Sequence, residues 1–200
     1  MRKAVVCSLV LCLLLLGSSA FAANRPSLAV REFDNKTDGK PPAAAITDMM
    51  TTELFNAGLF TLVERERLDY VADEIRLGQS GLMDMSTAPE VGRIRGAQYS
   101  MTGAITLYYY NASGGVVFLP GAGGAGLLSN TGYVTLDLRI IDNATSEVVY
   151  AAAEQGASNQ TLGGVATGFG GFGAGRVGGV LAGATRNAVM KHVESMKAVF

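Results

Sequence analysis

Hydrophobic residues along the chain switch between two spacings, and the switches mark its elements. Ser27 to Phe33 alternates and reads as a strand, and Asp34 to Pro42 carries the Asp, Asn, Gly and Pro chemistry of a loop. From Ala43 the spacing becomes helical: Ile46, Met49, Met50 and Leu54 share a face, and Gly58 stands where a helix stops. Leu59 to Glu64 is a second strand. Leu68, Val71, Ala72 and Ile75 then form an amphipathic helix ending near Gly78. Thr87 and Glu90 have capping-box spacing ahead of a short helix bearing Val91 and Ile94. Ala97 to Tyr110 is a strand interrupted at Gly103. Gly132 to Asp142 and Glu147 to Ala153 form a β-hairpin around Asn143–Ser146, and Ala184 to Val199 closes the chain as a helix.

This order, β-α-β-α-α-β followed by a hairpin and a helix, predicts an α+β fold with a mixed sheet of about five strands covered by helices. Two stretches stand apart from it. Neither Gly96 to Leu136 nor Gln155 to Gly175 contains an ionic side chain, and glycine crowds the second. Surface loops normally collect charge, so two ion-free inserts, at about 108–133 and 155–178, need a reason.

The first segment lies outside the fold. Arg2 and Lys3 precede a run from Ala4 to Leu16 that is apolar but for Ser8, and Ala20-Phe21-Ala22 is an A-x-A cleavage pattern. Such a run spans about 20 Å as a helix, short of a roughly 30 Å bilayer core. Residues 1–22 therefore read as a secretory signal peptide cut between Ala22 and Ala23, with residues 23–200 as a single domain. Both cysteines, Cys7 and Cys12, leave with it, so the mature chain has no disulfide or thiolate site. Cys12 does not have the surroundings of a lipoprotein acceptor. The whole chain is 48% hydrophobic and 16% charged, with 16 Lys and Arg against 17 Asp and Glu. It is too apolar for disorder and has no basic footprint for nucleic acid.

Chemistry-bearing motifs have plainer readings. Gly121, Gly123 and Gly126 match a dinucleotide fingerprint, but Leu127–Gly132 is too short and turn-rich for the helix it requires. The one histidine, His192, beside Lys191 and Glu194, reads as a solvated helix position. An enzyme would need it buried beside an acid and a hydroxyl in a cleft. Glu64 with Glu66 and Asp73 with Glu74 read as solvated carboxylates. Asn35, Asn111, Asn143 and Asn159 head glycosylation-type triplets that arise easily in such a composition. Nothing calls for a metal, a cofactor or a catalytic residue.

An ordered set of short motifs resembles the CsgG/HfaB family. It comprises Leu28–Asn35 (LAVREFDN), Thr51–Phe60 (TTELFNAGLF), Val63-Glu64-Arg65, Leu68–Val71 (LDYV) and Leu77–Leu82 (LGQSGL). Ser86-Thr87-Ala88, Gly96–Tyr99 (GAQY), Thr102-Gly103 and Leu136–Thr145 (LDLRIIDNAT), with Glu147-Val148, follow in order. The resemblance implies an exported protein of the periplasm or outer membrane of a Gram-negative-type bacterium. In the family's best-known member, the channel for curli subunits, periplasmic domains form a ring and each subunit lends two β-hairpins to a shared barrel. By resemblance those hairpins fall on the two ion-free inserts. The stretch corresponding to the channel's constriction loop, Asn35–Ala44, is short and has no aromatic residue, so no constriction residue carries over.

Tyr108, Tyr110, Val116 and Phe118 share one parity of the first insert and are candidate lipid-facing residues, with the opposite parity more polar. In the second insert Asn159–Phe169 would rise and Gly171–Val177 return, making Phe169, Phe172, Gly171 and Gly175 candidate assembly positions. The inserts are open to three readings: membrane or subunit-contacting hairpins, flexible loops, or, from the four-residue spacing of Gly171, Gly175, Gly179 and Gly183, a glycine-faced helix. Two functions follow as expectations. One is a ring-forming homo-oligomeric subunit of an outer-membrane channel that passes exported polypeptides. The other is a soluble periplasmic binding or scaffolding module acting on an envelope protein partner.

Overall fold

A computed structural model describes residues 25–119, 123–166 and 177–200, of which 116–119, 123–125, 162–166 and 177 are described by their backbone. The fold is α+β. Its strands are β1 (Ser27–Val30), β2 (Asp34–Asn35), β3 (Thr61–Leu62), β4 (Tyr99–Leu119), β5 (Gly123–Asp142) and β6 (Val148–Ala166). Its helices are α1 (Ala43–Ala57), α2 (Leu68–Gln79) and α3 (Val177–Met196). The six strands form one mixed sheet in the order β3-β1-β4-β5-β6, with β2 adding to β4. β1 runs parallel to β3 and β4, and β4, β5 and β6 are successively antiparallel.

The core lies between this sheet and α1 with α3. Leu28 and Val30, Ile46, Met50 and Leu54, Met101 and Ile105, Leu136 to Ile140 in alternation, and Ala188, Val189, Val193 and Met196 form one buried cluster. Gly58 ends α1 in the left-handed region (φ 67°), its amide bonding to the Leu54 and Phe55 carbonyls, as the sequence signal predicts. The Thr47 hydroxyl accepts the Phe33 amide at 3.0 Å and donates to the Ala43 carbonyl, pinning the end of β1 to α1. Contrary to the expected interruption, β4 runs unbroken through Gly103, which pairs with Leu138 where a Cβ would collide with that side chain and with Phe33.

Several boundaries differ from the sequence reading. The short helix expected from Thr87 is replaced by turns. Asp84 takes the Ser86 amide and hydroxyl, Ala88 precedes a proline, and Gly92 adopts φ 81°, all of which oppose helical propagation. α3 starts at Val177 rather than Ala184, because Val180, Leu181 and Ala184 extend its buried stripe into the glycine-rich stretch. β6 runs on to Ala166, well past the expected end at Ala153. α2 has its predicted limits, and its entry is held by Glu64, whose Oε1 accepts the amides of Arg65 and Glu66 at 2.9 and 2.8 Å.

Candidate functional site

Strands β4, β5 and β6 continue beyond the helix-covered core as a three-stranded blade. At Thr106 the β4–β5 register slips, Ile105 pairing with Leu136 but Leu107 with Thr135. This bulge reverses the facing of β4: Met101 and Ile105 point to the core below it, Tyr108 and Tyr110 above it. α3 covers the foot of the blade at very close range. A Cβ on Gly156 would strike the Ala184 carbonyl oxygen and the Ala188 amide nitrogen, and one on Gly132 would come within 3.1 Å of Val180. Above this level, Asn111 to Gly115 are exposed on both faces.

The two faces differ chemically. Cross-strand register stacks Asn111, Thr131 and Asn159 in one row and Ser113, Ser129 and Thr161 in the next, all on the face away from α3. The Ser129 hydroxyl donates to Asn159 Oδ1 at 3.3 Å, as does that of Thr161. Over these two rows the face carries uncharged hydroxyl and amide groups, and Leu127, of the same parity and 63% exposed, follows them. The other face carries Ala112, Gly114, Leu128 and the exposed Gln160, beside Tyr110, whose hydroxyl donates to the buried Asn130 Oδ1 at 2.8 Å. Burial on that side raises the Tyr108 pKa above 10.0. Tyr108 and Tyr110 thus pack partly against the core at the blade's foot. Val116 and Phe118 lie in the β4 ladder opposite Gly126 and Gly124. Their side chains, and all of Phe169, Gly171, Phe172, Gly175, Ala22 and Ala23, lie outside the described residues. Of the four-apart glycines, Gly179 and Gly183 are in α3, and Gly183 meets Ser158 of β6 rather than another helix.

Both long edges of the blade are open among the described residues. β1 pairs with the foot of β4 and β2 reaches Ile105, so Leu107–Leu119 has no neighbour on that side. β6 has β5 on one side only. Among the described residues the sheet is open and forms no barrel. Sequence alone gave no signal for the edge contacts made by Asn187 and Lys191, which donate to the Ala157 and Gln155 carbonyls at 2.8 and 2.7 Å.

The expectation of a solvated His192 is overturned: the residue is 0% exposed, because it falls on the buried stripe of α3 between Ala188 and Met196. Nε2 donates to the Leu136 carbonyl at 2.9 Å, which leaves Nδ1 to accept the Tyr150 hydroxyl at 3.2 Å. Burial lowers its pKa, against smaller opposing effects of that carbonyl bond and the Glu154 and Asp137 charges. The ring joins β5, β6 and α3. It lines neither of two surface hollows, one of about 370 Å³ beside α1 with Phe55 at its rim, the other of about 580 Å³ between α2 and Pro89–Ile94.

Over residues 13–199 the sequence matches the family described as Curli production assembly/transport component CsgG. No curated protein matches it. Among solved structures, the hypothetical protein CT253 from Chlamydia trachomatis is similar with a TM-score of 0.50 at 11% identity, over 88% of this chain and 97% of that one. A PelC dodecamer from Paraburkholderia phytofirmans gives 0.36 at 14% identity, covering 84% and 88%. The LpoB C-terminal domain from Escherichia coli gives 0.37 at 18% identity, covering 72% and 92%.

Proposed function

From the premise that this chain belongs to the CsgG family, we propose that it is an exported envelope protein whose blades from several copies close into one ring, forming a passage for exported polypeptides. The carrying observation is the blade: three paired strands without ionic side chains above the core, with Asn111–Gly115 and Asn159–Thr161 exposed and both edges open among the described residues. Asn111 to Leu119 is about nine residues, roughly 30 Å of strand, close to the 9–11 residues with which a tilted strand crosses a bilayer. In hydrocarbon every unpaired amide or carbonyl costs several kcal/mol, so an open blade cannot enter lipid alone. Closure among copies removes both edges at once, making insertion and assembly one event. The polar ladder of Asn111, Ser113, Ser129, Thr131, Asn159 and Thr161 then lines the lumen, and the face with Leu128 meets lipid. No catalytic step and no cofactor belong to this reading; passage is passive or drawn by folding outside.

The second reading is a soluble periplasmic scaffolding module, in which a partner protein covers the blade. The unpacked apolar side of α2, with Tyr70 69% exposed, favours partner binding of this kind. Fractionation separates the two. A channel subunit partitions with outer membrane and leaves it only in detergent as a large ring, whereas a module is released in the periplasmic extract.

A further inference from the structure

Unlike α1 and α3, α2 stays outside the core, and Gly78 is its only buried residue. At Gly78 the chain returns across the helix: a Cβ there would stand 3.2 Å from Pro89 Cδ and 3.3 Å from Ala88 Cβ. The returning segment is tied at its far end by Arg65, whose guanidinium donates to the Arg95 carbonyl at 2.7 Å. Between the two ties lies the hollow of about 580 Å³, with Tyr70, Val71 and Ile75 on one side and Pro89 and Ile94 on the other. Tyr70 is 69% and Ile94 50% exposed, so the hollow presents apolar surface to water, as a docking site does. Its charge is one-sided. From Leu68 to Ile94 there are five carboxylates and two arginines, and each arginine is already held by a carboxylate, Arg76 by Asp73 and Arg93 by Glu90. Asp69, Glu74 and Asp84 have no cationic partner among the described residues.

We propose that this hollow binds a basic amphipathic helix of an envelope protein partner, its apolar stripe entering between Tyr70 and Ile94 and its lysines or arginines meeting Glu74 and Asp69. The inference rests on the partner reading and adds to it the partner's chemistry and a place on α2 rather than on the blade. A helix suits the hollow because residues 80–98 contain no strand, so an extended peptide finds no edge there to pair with, whereas a groove beside a helix takes apolar anchors at helical spacing. Basic residues suit it because they complement the uncompensated carboxylates, which repel an acidic competitor. A second copy of this chain does not supply such a helix among the described residues. α1 carries Asp48 and Glu53 and no base, α2 is itself acidic, and the apolar stripe of α3 is buried in its own core.

Two measurements test this. In fluorescence anisotropy with the mature chain, a labelled helical peptide of leucine and lysine, leucines on one face, is expected to bind about tenfold tighter or more than its leucine and glutamate counterpart. Tyr70→Ser/Ile94→Ser and Asp69→Lys/Glu74→Lys alter only exposed positions, and an unchanged melting temperature shows that each variant is folded. Each is expected to weaken the lysine peptide by about tenfold, and the second to reverse the preference between the peptides. Equal binding of the two peptides, or binding that either variant leaves unchanged, overturns the site. In the second measurement a photo-cross-linking residue replaces Val91, 65% exposed in the wall of the hollow, in the full chain made in its own cells. The expected product is a protein joined through a segment that mass spectrometry identifies as basic and amphipathic. Capture of a protein through a segment of other character overturns this inference and leaves the partner reading standing. Capture of a second copy or of lipid overturns the proposed occupant. Capture of nothing overturns the inference and removes the support that α2 lends to the partner reading.

Discussion

His192 holds three elements together through one donated and one accepted hydrogen bond, and burial of its ring favours the neutral form. Its ordinary pKa is 6.5, and burial places the folded value below that. Between the two values the unfolded chain binds a proton that the folded chain refuses. Stability is therefore full above pH 6.5 and is lost as pH falls toward the folded value, by at most about 1.4 kcal/mol per pH unit for one group. Denaturant midpoints compared at about pH 7.5 and about pH 5.5 are expected to fall more for wild type than for His192→Gln, whose amide keeps a donor for the Leu136 carbonyl. Equal slopes would contradict this role. At Gly156 the constraint is steric: Gly156→Ala sets a methyl against α3 backbone that cannot turn aside. It is expected to cost about 1–3 kcal/mol in unfolding experiments. Neither role was legible in sequence. A histidine flanked by Lys191 and Glu194 looks solvated when the phase of the helix is uncertain, and one glycine among many carries no sign of what crosses it.

At the scale of elements, periodicity located α1, α2 and β1, because each carries its apolar spacing together with a stop such as Gly58. It placed the start of α3 too late and the end of β6 too early, since glycine and alanine give neither a period of two nor one of 3.6. There the long-range ladder with β5 and the packing of Val180 and Leu181 decide the boundaries. The chemical division of the blade was half visible: one parity of the first insert is more polar, but its alignment with Asn159 and Thr161 requires the β5–β6 register. That division yields a paired test. Leu128→Asp and Ser129→Asp are neighbours on opposite faces. Charge on a lipid face costs up to a few kcal/mol at mid-bilayer, and an acid costs less than a base. Leu128→Asp is therefore expected to lower membrane-bound protein severalfold, and Ser129→Asp to leave it near wild type, by quantitative fractionation. Equal behaviour of the two would remove the assignment of faces.

Across the whole molecule, family membership was legible from short motifs in order, most of which fall on the elements that build the α+β body. In the proposed reading the function lies in the blade, whose edge partners no local sequence pattern specifies. A compact domain of this size has little reason to extend an ion-free sheet past its own helices unless another surface completes it. In the proposed reading, the strand edges open among the described residues and the rows of uncharged polar side chains come into use together when copies meet. The most direct test is the native mass of the purified mature chain in detergent micelles and in plain buffer. A single closed oligomer of defined copy number in detergent is the expected result. A monomer in both, unaltered by lipid vesicles, would contradict it.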